Sequence, residues 1–315
     1  MKILIIKTDR LGDFLNISSI LKSLDQKKIK IDLICSEYNY ELVKYYKFIN
    51  KTYIRDNNLI KFIFKNKIIF KNKYDYLLQL DGNGWSFKTA LLIKAKKKLS
   101  LRYIKNKKFL GLRFNIKRPN LLLKSFFITI DCIDNYNVKN NEHYRYLDLY
   151  HKVCELGGLS IDFQDHYFPL SDNYKRNIKI FDKYILIHFD EKWSRYDEKI
   201  FINFRDKIIK ISENKKFIIT SNKENLYLEH FDNINDNIKT VYDTNIKDML
   251  FLTKNAYLII SSHSGFLIHL AACFKKQYID ILPINKFKEI DRWIPRNFNY
   301  KRYEFKHIND MRFNS

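Results

Sequence analysis

The chain reads Lys2-Ile3-Leu4-Ile5-Ile6-Lys7-Thr8-Asp9-Arg10-Leu11-Gly12-Asp13-Phe14-Leu15 over the stretch that decides its fold class. The apolar run at its start predicts a buried strand, and the apolar residues between Phe14 and Leu24 recur at helical spacing. A polar turn that contains Gly12 separates the two. A strand, a turn and a helix in this order form the first part of a βαβ unit.

The same alternation continues along the chain. Strands are predicted at 2–7, 31–35, 53–54, 74–80, 98–103, 184–188, 216–220, 240–242, 257–261 and 278–282. Helices are predicted at 14–24, 40–48, 86–95, 143–158, 198–212, 225–231, 246–253 and 266–274. This pattern predicts an α/β protein with parallel sheets and helices on both faces. We expect an N-terminal domain of residues 1–170 and a C-terminal domain of residues 171–295.

Composition bounds the class of protein. The 315 residues are 46% hydrophobic, which favours a globular chain over a disordered one. No apolar run approaches the roughly 20 residues that span a bilayer, and no signal peptide is recognisable, so we expect a cytoplasmic protein. A net charge of +23 is compatible with nucleic acid, an anionic membrane surface or anionic substrates. The abundance of Lys, Ile and Asn is also the bias of an AT-rich genome.

The basic residues are scattered along the chain, and no recognisable nucleic-acid motif accompanies them. We therefore expect no nucleic-acid partner. We expect instead that the positive charge supports peripheral contact with the inner face of the cytoplasmic membrane.

The scarce glycines mark candidate ligand sites. Gly12, the pair Gly82 and Gly84, and Gly265 each follow a predicted strand and open a predicted helix. Open α/β sheets bind ligands at the carboxyl ends of their strands, and helix N-termini there attract phosphate. A glycine also ends strands where no ligand binds. Three such turns across the two halves favour a ligand-binding cleft between the domains over chance turns.

Two of these turns carry chemically useful side chains. Asp13 lies at the start of a helix, where it either caps the backbone or acts as a general base towards a hydroxyl group. In the second half, Ser262, His263 and Ser264 can donate hydrogen bonds, and Gly265 permits close approach of a diphosphate. His269 lies one helical turn further on and is either a structural histidine or a ligand contact.

These residues resemble the motifs of glycosyltransferase family 9, the ADP-heptose–lipopolysaccharide heptosyltransferases and their relatives. The similarity covers nearly the whole chain and is weaker between Tyr103 and Asn141. The matching segments are Ile3–Lys7 with Arg10, Gly12 and Asp13, then Tyr74–Asn83 with Ser86, Leu99–Tyr103, Ile185–His188 with Lys192 and Trp193, Phe217–Glu224, and His263–Ala272. The order of these segments is that of the family.

The resemblance implies a GT-B fold, in which two Rossmann-like domains face each other across a cleft. It also implies inverting, metal-independent transfer of a sugar, heptose or a related one, from a nucleotide diphosphate donor to a lipopolysaccharide core or another lipid-linked surface glycan. No cofactor is implied, since the nucleotide sugar is a substrate. The tail, residues 296–315, is expected to pack back on the first domain.

The resemblance also assigns roles to residues. Asp13 would be the catalytic base, and Lys192 would neutralise the donor phosphates. Glu224 would bind the nucleotide ribose. The remaining donor-side positions are His263, Ser264, Gly265 and His269, and the acceptor-side positions are Arg10, Gly12, Asp81 and Asn83.

The last motif departs from the family pattern. His263 replaces an aspartate, Phe266 replaces a proline, and one extra residue precedes His269. These differences support an alternative, a degenerate GT-B protein that binds a nucleotide sugar without transferring it. A basic nucleic-acid-binding protein is a third hypothesis, and it would require an aromatic and basic platform that the sequence does not show.

Overall fold

The computed structural model describes residues 1–109, 112–118, 125–133, 145–172, 174–190, 192–193, 197–221, 227–283 and 290–304, with the backbone alone at 102–109, 112–118 and 131–133. The chain divides into two compact units, Met1–Gln164 and Asp165–Ser315. The boundary predicted from sequence, residue 170, lies in the loop that follows this division. Each unit is built on its own sheet.

The first unit contains seven strands and seven helices among the described residues. Its strands are β1 (Lys2–Lys7), β2 (Lys30–Cys35), β3 (Ile49–Ile54), β4 (Lys73–Gln79), β5 (Lys94–Phe109), β6 (Leu112–Arg118) and β7 (Ile128–Ile133). Its helices are α1 (Leu11–Leu15), α2 (Ser18–Gln26), α3 (Glu37–Val43), α4 (Leu59–Lys65), α5 (Lys67–Lys71), α6 (Gly84–Leu92) and α7 (Tyr146–Leu156).

The sheet of the first unit has the order β3-β2-β1-β4-β5-β6, and β7 also pairs with β5. The β5–β6 pair is antiparallel and the other pairs are parallel. Ile3–Ile6 are fully buried, as a central strand covered on both faces requires. The ligand side of this sheet is therefore the end where β1 and β4 stop.

The second unit repeats the architecture with a sheet that is parallel throughout. Its strands are β8 (Ile185–Phe189), β9 (Phe217–Ser221), β10 (Ile238–Val241), β11 (Leu258–Ser261), β12 (Gln277–Leu282) and β13 (Tyr300–Glu304), in the order β10-β9-β8-β11-β12-β13. Its helices are α8 (Glu198–Ile211), α9 (Ile246–Asn255) and α10 (Gly265–Cys273), with 3₁₀ turns at Leu228–Phe231 and Asp291–Trp293.

Short polar side chains cap the N-termini of four helices. Ser36, Asn58, Asn83 and Asp197 each accept a hydrogen bond from a backbone N–H three residues later, which caps α3, α4, α6 and α8. Gly158 follows α7 with φ +78°, a conformation that favours glycine and ends the helix.

The tail differs from the expectation. Tyr300–Glu304 pairs with β12 as the edge strand of the second sheet, so this part of the tail belongs to the second unit and not to the first. Its aromatic residues explain the difference, because Tyr300 stacks on Tyr278 of β12 with ring centroids 6.2 Å apart. Residues 305–315 lie outside the described residues.

Candidate active site

The first candidate site lies where β1 and β4 end. The backbone N–H and the hydroxyl of Thr8 both donate to Asp81 Oδ2, at 3.0 and 2.8 Å. Asn83 Nδ2 donates to the Thr8 hydroxyl oxygen at 2.8 Å. The other Asp81 oxygen accepts from Gln79 Nε2 at 3.1 Å and from the Ser86 hydroxyl. The hydrogen bonds of Asp81 therefore connect the turn after β1 to the turn after β4.

A buried lysine lies next to this turn. Lys7 is fully buried, and its ammonium group donates to Asp9 Oδ2 at 2.9 Å, to the Leu80 carbonyl at 2.8 Å and to the Tyr150 hydroxyl at 2.7 Å. Each of its three protons thus has an acceptor, which a buried charge requires. The hydrogen bond from Lys7 therefore fixes the position of the Asp9 carboxylate.

Three carboxylates, those of Asp9, Asp13 and Asp81, lie close enough to interact. Burial raises the pKa of Asp9 to about 7; Lys7 opposes this shift, while Asp13 and Asp81 add to it. Asp9 Oδ1 is buried and has no hydrogen-bond partner among the described residues. Asp9 was not among the sequence-predicted site residues.

Asp13 lies half-buried in the first turn of α1. The first turn of α1 has no side-chain cap, so the capping role considered for Asp13 is not what the structure shows. The Asp13 carboxylate lies close enough to Asp9 to raise the pKa of that residue.

A cavity of about 690 Å³ opens beside this turn, within the first unit. It is lined by Thr8, Asp9, Arg10, Leu11, Ser36, Glu37, Tyr38, Arg55, Asp56 and Asn57. Arg55 donates to the Thr8 hydroxyl oxygen at 3.4 Å, and its guanidinium lies 5.2 Å from the centre of the Trp85 ring. The cavity thus offers both arginine cations and carboxylates, a lining suited to a polar ligand such as a sugar acid or a phosphate.

The structure places the four acceptor-side positions differently. Arg10 is exposed and lines the cavity. Gly12 is buried within α1. Asp81 is fully buried, and Asn83 caps α6 while it holds Thr8. Direct contact with an acceptor stays a prediction for all four, and the geometry of Asp81 and Asn83 favours a positioning role.

The second candidate site lies at the carboxyl ends of β8, β11 and β12, in the second unit. Lys192 follows β8, and its ammonium group donates to the carbonyl of His263, which follows β11. The Lys192 backbone N–H donates to Asp190 Oδ1 at 3.0 Å. Trp193 is buried, and its indole N–H donates to the His188 carbonyl at 3.2 Å. These contacts hold the lysine against the turn before α10.

Asp280, on β12, organises this turn. It is fully buried, and it accepts the His263 backbone N–H at 2.5 Å and pairs with the His263 ring nitrogen Nδ1 at 2.7 Å. The Tyr300 hydroxyl donates to the same carboxylate at 2.9 Å. Sequence analysis did not single out Asp280, although an acidic residue within the apolar run of a predicted strand was a usable signal.

The turn leads directly into the N-terminus of α10. Ser264 donates its backbone N–H to Ser261 Oγ at 3.2 Å, and no side chain caps the helix. A Cβ added at Gly265 would meet no atom within 4 Å, so the space above this residue is open. An uncapped helix start with open space and a nearby lysine has the features of a phosphate site.

The remaining donor-side predictions have different outcomes. His269 is buried, and its ring stacks on that of His166 with centroids 5.0 Å apart and Nδ1 3.1 Å from His166 Nε2. The structure thus gives His269 a protein partner, and its contact with a donor stays a prediction. Glu224 lies outside the described residues.

His188, at the end of β8, is electrically neutral at pH 7. Burial, and secondly the positive charge of Lys192, lower the pKa of His188 to about 4. The Thr220 hydroxyl donates to the Ile187 carbonyl at 3.3 Å, so its oxygen is free to accept the His188 Nδ1 proton over 3.0 Å. A neutral imidazole beside Lys192 adds no positive charge to the site.

Neither metal ligation nor a membrane span is evident in the described part of the chain. No group of three or more His, Cys, Asp or Glu side chains there is arranged to hold a metal ion. No helix within the same residues is long and apolar enough to cross a bilayer. The expected independence from metal stays a prediction.

Comparison with known proteins gives matches at the level of structure. No family model matches the sequence, and no curated protein matches it. A family 9 glycosyltransferase from Veillonella parvula matches with a TM-score of 0.68 and 14% identity, over 96% of this chain and 85% of that one.

Two enzymes from E. coli match over a similar length. Heptosyltransferase WaaC with ADP gives a TM-score of 0.65 at 13% identity, over 96% of this chain and 93% of that one. ADP-heptose LPS heptosyltransferase II gives 0.65 at 13% identity, over 99% and 95%. At this identity the likeness establishes the fold. The chain therefore has the two-sheet α/β architecture of the GT-B proteins, the fold that the family resemblance implied.

Proposed function

We propose that this protein is an inverting glycosyltransferase that moves a sugar, heptose or a related one, from a nucleotide diphosphate donor to a lipid-linked surface glycan such as a lipopolysaccharide core. The observation that carries the proposal is the arrangement of Lys192 against the turn that opens α10, because it offers a cation and free N–H groups to a diphosphate. The fold is that of glycosyltransferases, one of which was solved with ADP.

In the proposed reaction, an acceptor hydroxyl oxygen forms a bond to the anomeric carbon of the donor sugar. The bond from that carbon to the diphosphate oxygen breaks, and its electron pair leaves with the nucleoside diphosphate. Asp13 accepts the proton of the attacking hydroxyl. Lys192 and the N-terminus of α10 stabilise the charge that develops on the leaving diphosphate. We propose that Glu224 binds the nucleotide ribose and that Ser264, Gly265 and His263 contact the diphosphate or the sugar.

The reaction as written needs no cofactor and no metal. We infer that it takes place in the cytoplasm, at the inner face of the membrane, because a lipid-linked acceptor would be presented there. The strongly basic composition supports contact with such a surface.

An Asp13→Ala variant tests the central role. We expect transfer to fall by two orders of magnitude or more, about the contribution of a general base, while binding of the nucleoside diphosphate is retained. Screening for stabilisation by ADP-, GDP-, UDP- and dTDP-linked sugars identifies the donor first, since a ligand raises the unfolding temperature by mass action. Transfer by the Asp13→Ala variant at the wild-type rate would contradict the proposal.

A second candidate is a protein that binds a nucleotide sugar without transferring it. The replacement of the family aspartate by His263, and the engagement of that histidine by Asp280, favour it. The fold also occurs in a UDP-GlcNAc 2-epimerase from Methanocaldococcus jannaschii, which matches with a TM-score of 0.58 at 15% identity. Binding of a nucleotide sugar with no product after incubation with acceptor glycolipids would support this candidate.

A further inference from the structure

The two short helices α4 and α5 present an apolar outer face. Their inner face is packed: Phe62 and Ile69 are fully buried, and Phe62 lies edge-on to Trp85 with ring centroids 4.9 Å apart. On the outside, Ile60 and Phe64 are 65% exposed and Ile68 is 50% exposed. Ile60 and Phe64 are four residues apart on α4, so they lie on the same side of the helix.

Exposed lysines lie beside these apolar residues in the chain. Lys61, Lys65, Lys67 and Lys71 are all exposed. Between residues 51 and 74 the chain has seven basic residues and a single acidic one, Asp56, which lies 3.6 Å from Lys61. We call the three apolar residues and these four lysines the α4–α5 patch.

One of these lysines also contacts the apolar part of the patch. The Lys67 ammonium lies 5.4 Å from the centre of the Phe64 ring, within the range of a cation–π contact. A long basic side chain of this kind can keep its charge in a polar layer while its stem lies among apolar groups. The patch therefore combines apolar insertion with a positive rim.

We propose that the α4–α5 patch docks on the surface of an anionic lipid bilayer. Ile60, Phe64 and Ile68 enter the headgroup region, and the four lysines pair with lipid phosphates. An anionic bilayer supplies both an apolar layer and a dense negative charge, and the patch offers the complement of both. No acidic side chain within residues 57–74 opposes that charge.

The patch lies next to the cavity of the first unit in the chain. Arg55, Asp56 and Asn57 line that cavity, and Asn58 caps α4 immediately afterwards. Docking through α4 and α5 would hold the cavity near the membrane surface, where a lipid-linked glycan is accessible. The docking itself needs neither donor nor acceptor, so it can be tested apart from the proposed transfer.

Cosedimentation of the full chain with vesicles is the primary test. Wild-type protein should bind vesicles of equal parts phosphatidylcholine and phosphatidylglycerol, and bind pure phosphatidylcholine vesicles at least tenfold more weakly. The variant K61Q/K65Q/K67Q/K71Q should lose at least tenfold in affinity for the anionic vesicles, since each lysine near such a surface contributes about fivefold. I60S/F64S/I68S should also lose at least tenfold.

A charge-matched control separates the patch from the general basicity of the chain. K175Q/K179Q/K199Q/K210Q removes the same number of exposed lysines from the second unit and should change affinity less than about threefold. An equal loss in both quadruple variants would overturn the proposal, because binding would then follow net charge alone.

A site-specific probe covers the case in which a multiple variant folds poorly. Phe64→Trp places an indole in the patch, and Ile202→Trp places one at an exposed position of α8, where Ile202 is 37% exposed. Brominated lipid should quench the added fluorescence of the first variant and leave that of the second unchanged. Equal quenching, or a dimer of the wild type that Phe64→Ser abolishes without any effect on vesicle binding, would overturn the proposal.

Discussion

Asp280 holds His263 at two points, through the backbone N–H at 2.5 Å and the ring nitrogen Nδ1 at 2.7 Å. His263 has φ +52°, in the left-handed region, so the turn depends on a partner that fixes it. Asp280 itself is fully buried and would be costly to leave without donors. His263 is therefore an integral part of the turn before α10.

Two variants of similar size, His263→Asn and His263→Asp, test the contact between His263 and Asp280. Both residues tolerate positive φ, but only the amide can donate to Asp280. We expect His263→Asp to lower the free energy of unfolding by about 2 kcal/mol more than His263→Asn, because two carboxylates would then share a buried space. Urea denaturation at neutral pH measures the difference. Equal stabilities of the two variants would show that the pairing with Asp280 contributes little.

The carboxylate of Asp81 provides a second test, since its partners are all donors. Asp81→Asn places an NH₂ group against at least one of the N–H and O–H groups of Thr8, Gln79 and Ser86. We expect a loss of about 1–3 kcal/mol in the free energy of unfolding. Asp75→Asn, at the exposed pair with Lys96, is the control and should cost clearly less than Asp81→Asn, because water screens this pair. A loss no larger than that of the control would show that the turn does not depend on Asp81.

The alternation of strands and helices was predictable because buried parallel strands are nearly continuous apolar runs. Strands β1, β2, β4, β8, β9, β11 and β12 were predicted within about two residues of their observed ends. The hairpin of β5 and β6 was not predicted, because lysine-rich strands such as Lys105–Phe109 lack an apolar pattern. β13 was missed for a related reason, since its half-buried edge position does not require apolar residues.

Residues of the candidate site could be predicted from the sequence only where they lie in a turn after a predicted strand. Asp13 and the residues from His263 to Gly265 were proposed because they follow predicted strands, and Lys192 was proposed because it matches the family pattern. Lys7 and Asp280 were missed because they lie within strands. Their partners in the turns can be identified only when the pairing of the strands is known. Asp280 and His263, for example, meet only because β11 and β12 are paired.

The raised pKa of Asp9 predicts a pH dependence of stability. Burial raises this pKa from 3.8 to about 7, so between pH 4 and pH 7 the folded chain holds a proton on Asp9 that the unfolded chain has lost. The contribution of Asp9 to stability therefore falls as the pH rises through this window, by at most about 1.4 kcal/mol per pH unit. In Asp9→Asn the contribution is absent, so the variant should gain stability relative to wild type from pH 4 to pH 7.

The comparison of variant with wild type is needed because His188 acts in the opposite direction. Its pKa is lowered from 6.5 to about 4, so its contribution to stability rises with pH between these values in both proteins and cancels in the difference. Asp75→Asn is the control, since the hydrogen bond from Lys96 lowers the pKa of Asp75 and places its transition below the window. Urea titrations across the range measure the effect, and a flat difference for Asp9→Asn would refute it.

The contact between Lys192 and the His263 carbonyl leads to a prediction about the donor. The ammonium group is held at the start of α10, where a diphosphate would accept both its charge and the N–H groups of the helix. We expect Lys192→Gln to weaken the binding of a nucleoside diphosphate by about ten- to a hundredfold, equivalent to about 1.5–3 kcal/mol for a hydrogen bond to a charged group. The matched control is Lys254→Gln. It removes a lysine of α9 that is paired with Asp172, and it should leave the affinity for the nucleoside diphosphate within about twofold of wild type.

Calorimetric titration with the nucleoside diphosphate and with the nucleoside alone separates the two parts of the ligand. Because Lys192 is expected to contact only phosphate, its loss should reduce affinity for the diphosphate and leave that for the nucleoside unchanged. Equal losses for both ligands would assign Lys192 to the structure of the turn and remove it from the proposed donor site.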